Sequence, residues 1–409
     1  MWRSPPMLLA AGGAGGAAIA TAATISMMNS RPINGSDAVP ALKVSRSVTE
    51  LIGNTPLLEL KSLSRATGTK ILVKCEHMNP GGSVKDRAAL WLVREAEKSE
   101  ELQAGGTICE GTGGNTGIGL ALVAAASGYK TVLAMPASIA KEKVELMRTF
   151  GAEVHTQPAV PLADERHYTK VAAAAGRKEN SVHTNQFLNL ANMRSHYEST
   201  APELVGQTGG RIDGFICASG TGGTMAGIGS YLKKHVPSAK VVLADCAGSG
   251  LRNYLTAGEF KDSPGDTIME GIGVSRLTAN FSEARPFVDG VLNVTDKEAI
   301  EMAYFLLRTE GLFIGPSAAL NVVGAVKLAK LLKKQANRQG TLLKPVVVTV
   351  VCDSGNSYRS KMWNKKWLKD KKLTPTSTST RELDFLEHDG HYKDRSADTS
   401  LFAGHVGGS

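Results

Sequence analysis

The sequence predicts an α/β fold, a largely parallel sheet covered by helices on both faces. Apolar runs of strand length alternate with stretches of helical period. Several of the turns that join a run to a helical stretch are rich in glycine, at 81–82, 113–117 and 220–223. A chain of 409 residues, 42% hydrophobic and 21% charged, has the balance of a globular protein able to bury a sizeable core.

Taken in order, the chain opens on Met7–Met28, 22 residues without a charge, rich in Ala and Gly and flanked by Arg3 and Arg31. That length can span a bilayer, although Ala and Gly supply most of its apolar character. Residues 1–30 therefore read as a membrane anchor or a cleaved presequence, with disordered low-complexity sequence as a further alternative. Residues 31–46 read as a linker, and the body runs from 47 to about 370. Its strand-like runs are Ile71–Val73, Thr107–Cys109, Thr131–Ala134, Gly214–Cys217, Val241–Ala244 and Val346–Val351. Between them lie helical stretches at Ala88–Glu97, Ile118–Ala126, Lys141–Phe150, Gly223–Lys234 and Asp296–Glu310. The basic segment Lys361–Lys372, with Trp363 and Trp367, reads as a closing helix with a solvated charged face, or else as a membrane-surface contact. Residues 371–409 are polar and expected to be disordered.

The formal charge of +9 is unevenly placed. Residues 1–46 carry +3, residues 359–372 carry +6 and the tail from 373 carries −3, which leaves the body nearly neutral. Nucleic acid is excluded as its partner on that ground. The five cysteines show no CxxC and follow apolar runs, so they read as reduced thiols. The nine histidines show no metal-ligand spacing, and no metal is expected.

Four segments can carry chemistry. In Asn79-Pro-Gly-Gly-Ser-Val-Lys85-Asp-Arg87 an extended run passes through two glycines into a helical pattern, placing Lys85 at a loop-to-helix junction. A solvated surface charge is the bland alternative. Chemistry there needs a neutral amine, and burial depresses the reference value of about 10.4. Glu110-Gly-Thr-Gly-Gly-Asn-Thr-Gly117 is a second glycine-rich turn, whose N–H groups at a helix start suit a carboxylate. Gly220-Thr-Gly-Gly-Thr224 lacks the Lys-Ser or Lys-Thr of a Walker loop; it is a phosphate cradle or simply a tight turn. Gly315-Pro-Ser317-Ala318 reads as a loop with a lone serine.

In this order, with Gly53-Asn-Thr-Pro-Leu57 at the start, Thr184–Glu198 and Glu270-Gly-Ile-Gly273, the segments resemble the cysteine synthase and cystathionine β-synthase family of fold-type II pyridoxal 5'-phosphate (PLP) enzymes. The resemblance covers residues 47 to about 368 and is closest to fungal mitochondrial-type cysteine synthases. It implies a tryptophan synthase β-like fold, two α/β lobes with the cofactor between them, the smaller and mobile lobe at roughly 88–190. On the matched positions it implies that Lys85 is catalytic and carries PLP, and that Asn115 meets the cofactor's 3'-oxygen. Gly220, Thr221, Gly222, Gly223 and Thr224 would hold its phosphate, and Ser317 would face the pyridine nitrogen. Thr112, Gly113, Gly114, Thr116 and Gln186 would face the substrate, with Gly271 in the segment that closes over it. Two positions depart from the family: Gly113 stands where serine is usual, and Ala319 where glycine is. The implied reaction replaces acetate in O-acetyl-L-serine by sulfide, giving L-cysteine. A cystathionine β-synthase-like condensation of serine with homocysteine, an L-cysteine desulfhydrase and a non-catalytic membrane-tethered scaffold are the alternatives. A homodimer is the expected assembly. The expected location is mitochondrial, anchored through residues 1–30 with the outer membrane favoured, and cytoplasmic otherwise.

Overall fold

The computed structural model describes residues 44–375 apart from 275 and 341–343, together with 386 and 393–394. The chain divides into two units, Met1–Val44 and Ser45–Ser409. The segment read as an anchor and all but the end of the linker lie outside the described residues. Among the described residues, no helix is long and apolar enough to cross a membrane.

Among the described residues, the unit from Ser45 shows eleven strands: β1 Leu57–Glu59, β2 Lys70–Lys74, β3 Thr107–Gly111, β4 Lys130–Pro136, β5 Glu153–Gln157, β6 Ser181–His183, β7 Gly214–Cys217, β8 Lys240–Asp245, β9 Gly290–Asn293, β10 Val346–Val350 and β11 Lys393–Asp394. They form two sheets rather than one. The larger has the order β1-β2-β10-β7-β8-β9-β11, parallel from β2 to β9 and antiparallel at both edges. The smaller, β5-β4-β3-β6, is wholly parallel and falls within the 88–190 span.

Every residue of β7 and β10 is buried, as expected for parallel strands covered on both faces. In β7 the side chains alternate between two cores. Ile216 joins the core under helices Asp296–Glu310 and Pro316–Arg338, whereas Phe215 and Cys217 join the one under Gly223–His235. Helix Lys85–Lys98 instead lies on the small sheet, where Ala89, Leu90 and Val93 pack with Ile108, Leu120 and Val123. Helix Asp296–Glu310 has the bounds the sequence predicts, because Thr295 and Glu298 form a capping box and Gly311 ends it at φ 69°.

One expectation needs correction. Ser317 is not in a loop: it lies in the first turn of the 23-residue helix Pro316–Arg338, with Pro316 at its start. In the tail, Leu386 is 3% exposed in the main core and β11 pairs antiparallel with β9; the other residues from 376 onward, on which the expectation of disorder falls, lie outside the described residues. The basic tryptophan segment contains helix Lys365–Asp370. Trp363 donates to the Ile314 carbonyl at 3.1 Å and packs beside Tyr304 and Phe313, so its ring faces protein.

Candidate active site

Lys85 is the first residue of its helix. The loop before it is fixed to the large sheet, where Val84 N–H donates to the Cys352 carbonyl at 2.8 Å just after β10. Two sequence motifs meet at this point. Gly53 N–H donates to Asn79 Oδ1 at 2.8 Å, and Asn79 Nδ2 donates to Glu76 Oε2 at 2.9 Å. Arg87 grips Glu76 and Glu203, with Nε–Oε2 at 2.7 Å and Nη1–Oε1 at 2.7 Å respectively. Buried ions are tolerated here because they are paired and bonded on every side. Burial holds the Lys85 ammonium below its ordinary value, opposed by the nearby Cys352, Asp353 and Cys217. Both thiols are themselves pushed up by burial, Cys352 to about 11.

The turn Gly220–Thr224 follows β7 and opens helix Gly223–His235. It leaves no room for a side chain at any of its three glycines. A Cβ on Gly220 would lie 1.8 Å from the Gly271 carbonyl oxygen, one on Gly222 2.3 Å from Phe281 N, and one on Gly223 2.1 Å from Asn192 Oδ1. Gly222 also sits at φ 94°. The first N–H groups of the helix have no intrahelical acceptor, and the buried Ser219 hydroxyl beside them lacks a partner. Asn192 braces the Thr221 hydroxyl at 2.9 Å, and His196 Nε2 lies 3.2 Å from that of Thr224. Burial, with Arg87 and Lys85 nearby, keeps His196 neutral, well below its usual value. A tight cradle of backbone donors with an orphaned hydroxyl, opposite a desolvated lysine, fits the phosphate and aldehyde of PLP.

The second glycine turn, at the C-terminal end of β3, is arranged differently. Thr112 Oγ1 accepts from Gly114 N–H at 3.0 Å and Gly117 N–H at 3.3 Å. Thr116 Oγ1 donates to Gln186 Oε1 at 2.5 Å, and Gln186 Nε2 donates to the Gly111 carbonyl at 2.9 Å. The side chains expected to face a substrate thus hold one another. What remains for a carboxylate is backbone N–H at the start of helix Asn115–Ser127. A Cβ on Gly113 would meet nothing within 4 Å.

A cavity of about 490 Å³ joins these parts. Lys85, Thr112, Gly113, Gly114, Asn115, Thr116, Gln186, Gly220, Thr221, Gly222, Thr224, Gly271 and Ser317 all line it; Gly223 lies just behind, in the helix. Several lining or supporting residues escaped sequence reading. Glu110 is fully buried beneath this glycine turn, where it accepts from Thr184 Oγ1 at 2.6 Å and Gln186 N–H at 3.1 Å, and burial raises its carboxyl to about 7. Asp353 accepts from Asn115 Nδ2 and from the Tyr358 hydroxyl, both at 2.6 Å. Arg276 lies 3.6 Å over the Phe187 ring at the cavity wall. A charged residue inside an apolar stretch was the available signal for Glu110; nothing local marked the others.

The family described as "Pyridoxal-phosphate dependent enzyme" matches residues 48–353. A protein of Neurospora crassa named "Cysteine synthase 1" is 46% identical over 81% of this chain and 86% of its own. A Saccharomyces cerevisiae protein named "Putative mitochondrial cysteine synthase" is 40% identical over 78% of this chain and 84% of its own. Among solved structures, that of O-ureido-L-serine synthase superposes with a TM-score of 0.68 at 30% identity, covering 78% of this chain and 95% of the other. The family match takes in every site position named above, so the cavity geometry and the kinship agree: this chain belongs to the pyridoxal-phosphate-dependent enzymes.

Proposed function

We propose that the protein is a cysteine synthase, converting O-acetyl-L-serine and sulfide into L-cysteine and acetate. The observation that carries the reading is the meeting of Lys85, the Gly220–Thr224 cradle, Asn115 and Ser317 in one cavity, in a chain 46% identical to a cysteine synthase. PLP, bound there, supplies the electron sink that lets an amino acid give up its α-proton and its β-substituent. The chain does the rest. Backbone N–H groups at Gly220–Thr224 and the dipole of helix Gly223–His235 hold the phosphate. Ser317 Oγ would offer the ring nitrogen a hydroxyl, which does not enforce a proton there as a carboxylate would. Asn115 would meet the 3'-oxygen. The substrate carboxylate would bind N–H groups of Gly113, Asn115 and Thr116, in a turn held in place by Thr112, Thr116 and Gln186. Desolvation lowers the Lys85 ammonium below its ordinary value, which favours the free amine that would accept the α-proton. Gly271 and its neighbours cover the cavity and limit water.

Incubation with O-acetyl-L-serine, with and without sulfide, tests this. Cysteine with sulfide, and measurable pyruvate when sulfide is scarce, is the expected result. Cystathionine from serine and homocysteine, with no cysteine from the first pair, would move the protein to the rival reaction. The same reading gives the body from 47 to about 370 as the catalytic part, a homodimer as the assembly, and residues 1–30 as a mitochondrial tether. Deletion of residues 1–30 is expected to release an active enzyme from carbonate-washed mitochondrial membranes. Retention there would place the tether elsewhere.

A further inference from the structure

Lys143 is a cation that the β-replacement reading leaves unused. It belongs to helix Lys141–Thr149 on the small-sheet side, lines the cavity and is 1% exposed. Its ammonium donates to Glu270 Oε2 at 2.9 Å and to the Tyr358 hydroxyl at 2.9 Å, and lies 4.1 Å from the centre of the Tyr358 ring. Glu270 immediately precedes Gly271, whose carbonyl rests on Gly220. Lys361 holds the other Glu270 oxygen and donates to the Ser138 carbonyl at 2.8 Å.

From Tyr358 the chain of bonds continues inward. Its hydroxyl donates to Asp353 Oδ2, which also accepts from Asn115 Nδ2. Five side chains therefore form an unbroken line, Glu270, Lys143, Tyr358, Asp353 and Asn115, from the covering segment to the residue placed at the cofactor. The aliphatic stem of Lys143 adds a second contact, because a Cβ on Gly114 would lie 2.7 Å from its Cδ. A buried ammonium is costly unless paired, and a pair so placed holds a register between the elements that carry it. Here those elements are a helix of the small-sheet side, the covering segment and the loop after β10.

We propose that Lys143 is a positioning residue that holds the 268–274 segment in register with Asn115 and Gly114. Its Glu270 end governs the cover, and its Tyr358 end governs Asn115. The inference rests on the β-replacement reading only for the choice of substrate.

The test compares full-length, PLP-loaded Lys143→Met, Lys143→Arg, Glu270→Gln and Tyr358→Phe with the unaltered protein. It follows hydrogen exchange of 268–274 and 112–116, the absorption band of the bound cofactor, and KM and kcat for O-acetyl-L-serine. Lys143→Met is expected to speed exchange of 268–274 and raise KM about tenfold, the size of one hydrogen bond to a charged group, with a smaller fall in kcat. Lys143→Arg should restore most of this. Glu270→Gln should speed exchange at 268–274 while sparing the cofactor band; Tyr358→Phe should do the reverse. Unchanged exchange and KM in Lys143→Met would overturn the proposal. So would a uniform drop in melting temperature and PLP content with no selective effect at 268–274. If Lys143→Met does not fold, Lys143→Arg and Glu270→Gln decide on the same readouts. Absence of cysteine from the unaltered protein would instead sink the substrate reading, and exchange would still decide the tie.

Discussion

Gly220–Thr224 and Thr112–Gly117 use nearly the same residues, glycines and threonines between a parallel strand and a helix, yet the two turns are built to different tolerances. Around the first, three glycines have neighbours within 2.3 Å of where a Cβ would stand, and the contacting atoms include backbone of the covering segment and of Phe281. Around Gly113 there is open space. The first turn has one shape available to it. The second is held by its own side chains, Thr112 to the backbone and Thr116 to Gln186, while its tip stays free to adapt. A cradle for a group that never leaves can be rigid, whereas a loop that binds and releases a substrate each cycle gains from slack. Composition alone does not separate the two, because the difference lies in what packs against them.

The comparison can be broken at several points. Lys85 faces the cavity between the turns, and Lys85→Ala should lower turnover by about 10²- to 10⁴-fold or more while both turns keep their structure. Near-visible absorbance and cysteine formation would check this, and undiminished activity would remove Lys85 from the mechanism. Next comes the rigid turn. Gly222→Ala must place a Cβ at φ 94° and 2.3 Å from Phe281 N, so strain of about 1–3 kcal/mol and marked loss of PLP are expected. PLP content after dialysis and melting temperature report on it; full retention of both would mean that the cradle is softer than its packing.

Gly113→Ser probes the adaptable turn. A serine fits the open space, and its hydroxyl can bond the substrate carboxylate, worth about 1.5 to 3 kcal/mol for a charged partner. The KM for O-acetyl-L-serine should fall roughly tenfold, and the pyruvate-to-cysteine ratio at low sulfide should fall with it. Abolished activity, or no change in either quantity, would mean that this loop is tuned to another donor.

The smallest effect concerns the anchor below that loop. Burial raises Glu110 from 4.5 to about 7, so the folded protein holds a proton there that the unfolded chain releases. Stability contributed by protonated Glu110 is present below pH 4.5 and is lost as pH rises through about 7. Glu110→Gln should therefore flatten the fall in melting temperature between pH 5 and 8. An unaltered slope would show Glu110 to be ionised throughout.

Much of this was legible in the chain. The strands β2, β3, β4, β7, β8 and β10 and the helices after Lys85, Asn115 and Gly223 announce themselves because parallel strands buried on both faces are continuous apolar runs and glycine marks each turn into a helix. Helix Pro316–Arg338 did not. Residues 316–329 are buried all round, which erases the one-sided period that betrays a surface helix, and Ser317 was consequently read as part of a loop. The contacts within the tail left no sign for the opposite reason. A single buried Leu386 and a two-residue strand are too short to leave a pattern in polar sequence.

What the sequence determined by itself was chemistry of local origin: a lysine at a helix start, a turn free of side chains, hydroxyls at set spacing. Each is fixed by residues a few positions apart, where backbone geometry follows directly from residue type. Tertiary structure decided what those groups do together. The split into two sheets, the desolvation of Lys85, the bracing of Thr224 by His196, and the line from Glu270 through Lys143 to Asn115 join residues far apart in the chain. Such contacts depend on shape and burial, and no short stretch of sequence encodes either.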